Sequence, residues 1–303
     1  MGEYVAVVGG MNVDICGQPE GRPVLRDSNP GRVSLRPGGV GRNIAHDLRL
    51  LGLEVKLLSA VGGDEHGRML LASCAALGID TGLTLCLPDE RSSCYLYITD
   101  EDGDMQLAVA DMGVTRRITP AVIAQRLDAL NAASAVVIDA NVEAETLEYL
   151  AAHVTAPLYA DPVSTGKALR LKGLLPRLAC LKPNALEAET LSGEREPEAA
   201  ARALIAAGVR RVFLSMGAQG MIAAEGDRLL NLPCAPARVR NTTGAGDAVT
   251  AALVWAGVKG LDLEQSLRFA LRAGALTAEW PEANNPALAA LAAEAPPAGS
   301  GLL

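Results

Sequence analysis

Short apolar runs alternate with amphipathic stretches of helical period along most of this chain. The apolar runs are the predicted strands: Tyr4–Val8, Val55–Val61, Ala135–Asp139, Pro157–Ala160, Leu178–Leu181 and Val212–Ser215. The helical patterns between them cover Asn43–Leu51, Glu65–Leu77, Pro120–Leu130, Glu145–Ala151 and Glu198–Ala207. Strands separated by helices imply βαβ units and a parallel sheet covered on both faces. The expected fold is therefore α/β, with ligands bound at the carboxyl ends of the strands.

Two stretches interrupt this alternation. Residues 13–36 contain three prolines and three glycines, and residues 92–110 hold two β-like runs, Ser93–Thr99 and Met105–Ala110, joined by an acidic turn. Together they predict a small β-sheet lid over the strand ends of a single domain that spans residues 1–303. Residues 295–303 carry two prolines and two glycines, and we expect them to form a flexible tail.

The charge balance argues against several functions. The chain has 303 residues, 27 of them Lys or Arg and 35 Asp or Glu, which gives a net charge of −8, and only 3% are aromatic. Nucleic-acid binding requires a basic surface and often aromatic platforms, so no nucleic-acid partner is expected. No apolar run is long enough to span a membrane, and the N-terminus lacks the pattern of a secretion signal, so we expect a cytoplasmic protein without a membrane partner.

The cysteines and histidines do not have the spacing of a zinc site. None of the six cysteines forms a C-x-x-C pair, and the chain has only three histidines. We expect the cysteines to be reduced thiols that are mostly buried.

The segment Asn241–Ala248 is a glycine-rich turn that leads into a long apolar helix. Such a turn directs several backbone N–H groups at one point, and the positive end of the helix reinforces them, so the segment predicts a site for anionic oxygens. Asp247 lies in the first turn of that helix. Its carboxylate is either an ordinary helix cap or the acceptor of a proton from a hydroxyl that attacks a bound phosphate.

A second glycine turn, at Gly38 and Gly39, also precedes a helix and allows close approach to a ligand. The sequence does not predict a strand directly before it together with an acidic residue about 20 residues later, so we do not expect a dinucleotide-binding fingerprint. Asn43 caps that helix or binds a ligand hydroxyl. At the end of the first strand, Asn12 and Asp14 face the same side, where they bind vicinal hydroxyls or form a turn.

Two further segments each have two interpretations. Asn184 and Glu187 are three residues apart, which suits either water-mediated binding of Mg²⁺ or a helix capping box. Residues 215–220 form either a simple hairpin loop or the cover of a nucleotide. Ser164–Ala168 looks like the end of a phosphate-binding P-loop, but Asp161 and Ala168 stand where that motif requires other residues. Phosphate chemistry is therefore assigned to the 244–247 turn.

Taken together, these segments resemble the PfkB (ribokinase-like) carbohydrate kinases over essentially the whole chain. One family signature fits from Gly38 through Asn43 to Gly62, and the other from Asn241 through Asp247 to Val254. The resemblance implies a three-layer α/β/α body with a mostly parallel sheet and a small β-sheet lid. It also implies a kinase that uses ATP and Mg²⁺ and phosphorylates a small molecule.

The resemblance implies a role for each matching position. Asp247 would be the catalytic base, and the anion hole would be formed by Gly244, Ala245 and Gly246 with the N–H of Asp247. Mg²⁺ and phosphate would be organised, through water, by Asn184 and Glu187. The nucleotide would contact Ser215, Gly217 and Gly220. The ribose would contact Asn12, Asp14, Gly39, Asn43 and Asn141.

Further segments resemble family members that phosphorylate the 5′-hydroxyl of the nucleoside pseudouridine: Asp27–Gly31, Pro37–Ala45, Leu58–Gly62, Leu186–Gly193, Leu214–Gly217 and Asn284–Pro286. Ribose, adenosine and inosine remain as alternative substrates, and a catalytically silent nucleoside sensor as an alternative function. Asn241 replaces the Asp that is found in family members activated by K⁺. An Asn side chain keeps a carbonyl ligand but lacks the negative charge. Activation by K⁺ and the absence of such activation therefore both stay open. The lid is expected to expose an apolar face with Tyr95, Tyr97 and Leu107, which forms a homodimer or packs over the nucleoside.

Overall fold

The computed structural model describes residues 4–101, 103–235 and 237–295. The predicted tail after Ala295, and Asp102 of the predicted acidic turn, lie outside the described residues. The strands are β1 (Tyr4–Val8), β2 (Asn12–Pro19), β3 (Gly31–Gly38), β4 (Glu54–Leu58), β5 (Ala60–Gly62), β6 (Leu85–Leu87), β7 (Cys94–Thr99), β8 (Met105–Asp111), β9 (Ala135–Asp139), β10 (Leu158–Asp161), β11 (Leu178–Leu181), β12 (Val212–Ser215), β13 (Met221–Glu225) and β14 (Arg228–Leu232).

The α-helices of the described residues cover all the predicted helical regions. They are α1 (Val40–Leu50), α2 (Glu65–Ala76), α3 (Pro120–Ala124), α4 (Leu127–Asn131), α5 (Ala144–His153), α6 (Thr165–Ala168), α7 (Ala185–Ser192), α8 (Pro197–Ala206), α9 (Ala245–Val258), α10 (Leu263–Ala278) and α11 (Leu288–Ala293). Short 3₁₀ segments occur at Gly113–Arg117, Leu169–Arg177 and Gly217–Gln219.

The central sheet has the strand order β14-β13-β12-β11-β10-β9-β1-β4. Strands β4, β1, β9, β10, β11 and β12 run parallel to one another, and β13 and β14 complete the sheet as antiparallel strands. Alternate residues of β1 supply two separate cores: Val5 and Val7 face one, and Ala6 and Val8 face the other. Helices α1, α9 and α10 cover the first face, whereas α5 and α8 cover the second. The predicted three-layer α/β fold is confirmed.

Two predicted elements are divided in the structure. The run Val55–Val61 forms β4 and β5, because the Ser59 N–H donates to the Thr84 hydroxyl and the chain leaves the central sheet to pair with β6. The predicted helix Pro120–Leu130 is split into α3 and α4 around Arg126, whose guanidinium donates to the carbonyls of Leu83 and Val122.

A separate four-stranded sheet, of order β3-β2-β7-β8, is built from the two predicted insertions. The prediction that Tyr95, Tyr97 and Leu107 share one apolar face of this sheet is wrong, as the pairing of β7 with β8 shows. Leu107 is paired with Ile98, and Tyr97 with Ala108. Residues paired across two strands share a face, and successive residues alternate, so the two tyrosines and Leu107 lie on opposite faces.

The prediction that the cysteines are mostly buried is wrong. Cys74 and Cys180 are buried, but Cys86 is exposed and the other three are partly exposed. Cys16 and Cys94 lie on the neighbouring strands β2 and β7 of the small sheet, where both are partly exposed. All six are free thiols. Within the described ranges, no helix has the length and apolar character needed to cross a membrane.

Candidate active site

The glycine-rich turn lies at the N-terminus of α9, as the sequence predicts. Gly244 precedes the helix with φ of 83°. A Cβ on Gly244 would collide with the carbonyl of Ala283, so both the backbone conformation and the space require glycine there. The first N–H groups of a helix have no intrahelical acceptor, and they can bind an anion at this end of α9.

Asp247 does not cap α9. The helix begins after Gly244 without a side-chain cap, and Asp247 Oδ2 instead accepts a hydrogen bond of 2.8 Å from Asn43 Nδ2. Burial and the nearby Asp161 carboxylate raise the pKa of Asp247 to about 7, although Asn43 and Lys182 act in the opposite direction. A carboxylate with this pKa can accept a proton near neutral pH.

A buried ion pair lies beside the turn. Lys182, one residue beyond β11, has its Nζ 3.1 Å from Asp161 Oδ2 at the end of β10. The Thr250 hydroxyl donates to the same carboxylate oxygen at 2.7 Å. The Lys182 ammonium lies 3.2 Å from where a Cβ on Gly246 would be, so it is adjacent to the anion-binding turn. Neither Lys182 nor Asp161 was predicted from the sequence to lie at this site.

Asp139 is a third carboxylate at the same edge of the sheet. Its Oδ2 accepts from the Gly10 N–H at 2.8 Å, and its Oδ1 accepts from the Asn141 N–H at 2.9 Å. Burial raises the pKa of Asp139 to about 6, against the effect of these hydrogen bonds. The carboxylate thus fixes the position of two loops that leave neighbouring strands.

The predicted ribose residues lie together between the small sheet and α1. Asn12 Nδ2 donates to Asp14 Oδ1 at 2.6 Å, so both side chains face one side as expected. Gly39 has φ of 97°, and a Cβ there would be 2.6 Å from the Gly10 carbonyl oxygen. Asn43 lies inside α1, which starts at Val40, so the alternative that it caps this helix is wrong.

Arg42 is a buried residue of this region that the sequence analysis missed. Its Nη2 donates to Asn43 Oδ1 at 2.7 Å and to the Pro37 carbonyl at 2.9 Å. Because the Asn43 oxygen accepts from Arg42, the Asn43 nitrogen is turned towards Asp247. Asn284 Nδ2 donates to the Asn43 carbonyl at 3.1 Å and holds the same helix from the C-terminal region.

Asn184 and Glu187 form the capping box of α7. Asn184 Oδ1 accepts from the Glu187 N–H at 2.9 Å, and Glu187 Oε2 accepts from the Asn184 N–H at 2.8 Å. Burial raises the pKa of Glu187, opposed by the Asn184 N–H and by Lys182. The capping box uses Oε2 of Glu187, so Glu187 Oε1 can still act as an oxygen ligand or accept a hydrogen bond from water. The capping role and an indirect role at Mg²⁺ are therefore compatible.

A cavity of about 630 Å³ extends from the 215–220 loop to the anion-binding turn. The three predicted nucleotide residues Ser215, Gly217 and Gly220 line it, together with Ala245 and Gly246. The loop also joins the antiparallel strands β12 and β13, so it is a hairpin connection as well. The lining that the structure describes does not include Asn184 or Glu187.

The Asn241 amide joins two loops next to the turn. Its Oδ1 accepts from the Thr243 N–H at 2.9 Å, and its Nδ2 donates to the Pro281 carbonyl at 3.2 Å. The side-chain oxygen therefore already has one donor, and the NH₂ group is used by the Pro281 carbonyl.

The sequence matches the model of the pfkB family carbohydrate kinases over residues 3–290. The chain belongs to this family. Pseudouridine kinase of Escherichia coli (strain K12) is 38% identical over 296 residues, which is 94% of each chain. A solved carbohydrate kinase from Agrobacterium tumefaciens has 28% identity and a TM-score of 0.85, with coverage of 97% of this chain and 98% of that one.

Ribokinase of Arabidopsis thaliana, solved with ribose and ATP, has a TM-score of 0.82 at 23% identity, covering 96% of this chain and 99% of its own. At that identity the likeness concerns the fold alone. The predicted membership of the PfkB carbohydrate kinases and the predicted ribokinase-like fold are both confirmed.

Proposed function

We propose that this protein is an ATP-dependent kinase that phosphorylates the 5′-hydroxyl of pseudouridine. The observation that carries the proposal is the 38% identity to a pseudouridine kinase over 94% of both chains. The partly buried Asp247, with its pKa raised to about 7 and its carboxylate held by Asn43, supplies a base for the reaction. The cytoplasmic location stays a prediction.

In the proposed reaction, the ribose lies between the Gly39 turn and the tip of β1. Asn12, Asp14, Gly39, Asn43 and Asn141 would bind the nucleoside. Asp247 takes the proton of the 5′-hydroxyl while the hydroxyl oxygen attacks the γ-phosphorus of ATP and ADP leaves. Such transfers depend mostly on positioning and on stabilisation of charge.

The nucleotide would occupy the cavity bounded by Ser215, Gly217 and Gly220, with its phosphates towards the turn Gly244–Asp247. The backbone N–H groups of Gly244, Ala245, Gly246 and Asp247 would stabilise charge on the transferred group, and the adjacent Lys182 ammonium adds a positive charge. When bound, Mg²⁺ neutralises phosphate charge, and Asn184 and Glu187 would hold it through water.

ADP release from the purified protein with Mg·ATP tests the proposal directly. Pseudouridine, uridine, ribose, adenosine and inosine are compared in parallel. We expect turnover with pseudouridine and little with uridine. Turnover with ribose, adenosine or inosine instead would contradict the proposed substrate but would still support kinase activity. Binding of a nucleoside without ADP release would favour a silent sensor.

Substitution Asp247→Asn is expected to lower kcat by about 10²–10⁴-fold, the usual loss when a general base is removed. The fold and most of the affinity for ATP should be retained, because Asn has nearly the same shape. Steady-state kinetics and ATP titration measure both effects. Asp227→Asn, at an exposed hairpin turn, is the matched control. Near-wild-type kcat in Asp247→Asn would show that Asp247 is not the base.

We also propose that a second copy of this chain covers the aliphatic face of the small sheet. Val33, Leu35, Leu107 and Val109 are exposed there by 70%, 49%, 63% and 57%. An exposed apolar sheet face next to two free edges is typical of an interface.

The double substitution Val33→Asp with Leu107→Asp should convert the proposed dimer to a monomer, since it would bury charges in the interface. Light scattering after gel filtration measures the mass. Ser34→Asp adds one negative charge to the opposite face of β3 and should leave the dimer intact. A wild-type protein that is monomeric at micromolar concentration would disprove the interface.

A further inference from the structure

A lysine and an amide form a polar pair beside the predicted ribose site. Lys167 Nζ donates to Asn141 Oδ1 at 2.6 Å. A Cβ on Gly10 would be 2.8 Å from Asn141 Nδ2, and the Gly10 carbonyl lies against Gly39. The Asn141 amide therefore lies next to the strand tip at which the ribose is proposed to bind.

The Lys167 ammonium is partly buried and is not neutralised by direct contact. Of the described residues, no carboxylate lies within ion-pairing distance of Lys167, whereas Lys182 pairs with Asp161 and Lys56 with Asp80. Burial lowers the pKa of Lys167, opposed by the Asp139 charge nearby. A donor group held in this way is available to an acceptor oxygen of a ligand.

The loops that carry the pair are fixed by the backbone. Arg170 Nη1 donates to the carbonyls of Ala140, Asn141 and Val142 at 3.0–3.2 Å. Val163 has φ of 66°, which is strained for a β-branched residue, and its N–H donates to Asp161 Oδ1 at 2.9 Å. Strain of this kind persists where the surroundings enforce it, often at ligand sites.

We infer that Asn141 and Lys167 recognise the base of the nucleoside. This inference rests on the proposed function. The base of pseudouridine is attached through carbon, so it presents an N1–H next to the C2 carbonyl. At the corresponding positions uridine presents a C–H next to a carbonyl. Asn141 Oδ1 accepts the N1–H, and Lys167 Nζ donates to the carbonyl that both nucleosides share.

Asn141 and Lys167 should therefore differ in how they affect the use of pseudouridine and uridine. A C–H of uridine makes no hydrogen bond to Asn141 Oδ1, so this partly buried oxygen keeps only its Lys167 donor and the uridine complex has one hydrogen bond fewer. Asn141 therefore determines the preference for pseudouridine over uridine. Lys167 contributes to the binding of both nucleosides.

The test is the ratio of kcat/KM for pseudouridine to that for uridine. In the wild type this ratio should be high, and N1-methylpseudouridine, which lacks the N1–H, should be as poor a substrate as uridine. Asn141→Leu should lower the ratio by about 10- to 100-fold through its effect on pseudouridine. Lys167→Met should lower kcat/KM for both nucleosides by a similar factor of about 10. Lys172→Met, at an exposed position in the 3₁₀ segment that follows α6, should change neither.

Two results would overturn the inference. One is use of N1-methylpseudouridine by the wild type as efficiently as pseudouridine, which needs no variant to fold. The other is an equal loss for both nucleosides in an Asn141→Leu protein with an unchanged melting temperature. Turnover of neither nucleoside by the wild type would instead contradict the proposed function, and this inference with it.

Discussion

The ion pair between Lys182 and Asp161 is the interaction on which the rest of the candidate site depends. Both residues are buried where β10 and β11 end, and Asp139 and Asp247 are close enough to feel the same charges. Removing carboxylates from water costs several kcal/mol per ion unless each has a partner. The Lys182 ammonium lies near several carboxylates and lowers the pKa of Asp247, but burial and the Asp161 charge raise that pKa by more, so it still suits a base. The same ammonium lies next to the anion-binding turn.

Much of the fold could be predicted from the sequence, because a strand buried on both faces is a short run of apolar residues. The bounds of β1, β9, β11 and β12 agree with the predicted runs. The glycine turns were also recognisable, because a left-handed backbone or a close approach admits no side chain. Gly39 and Gly244 are examples, since each has a positive φ and a neighbouring carbonyl in the space of a Cβ.

Contacts between residues far apart in sequence could not be predicted in the same way. The sequence left Asn43 as a cap or a ligand, and the bond to Asp247, 204 residues away, depends on how α1 packs against α9. Arg42, inside α1, carries no local signal. For Asp161 and Lys182 the only hint was that a charged residue lies at or just after the end of an otherwise apolar strand. The faces of the small sheet depend on the register between β7 and β8, which the sequence does not specify when both sides carry apolar residues.

The proposed reaction depends most on Asp247 acting as a base with a raised pKa. The pH dependence of kcat/KM for pseudouridine, at saturating Mg·ATP, tests this most directly because it reports the essential base of the enzyme before the nucleoside binds. Since the pKa of Asp247 is raised to about 7, its carboxylate is protonated at lower pH. We predict that kcat/KM falls about tenfold per unit as the pH drops below that value, and levels off above it. A rate unchanged down to about pH 5 would contradict the account, because it would require a base with an ordinary carboxylate pKa.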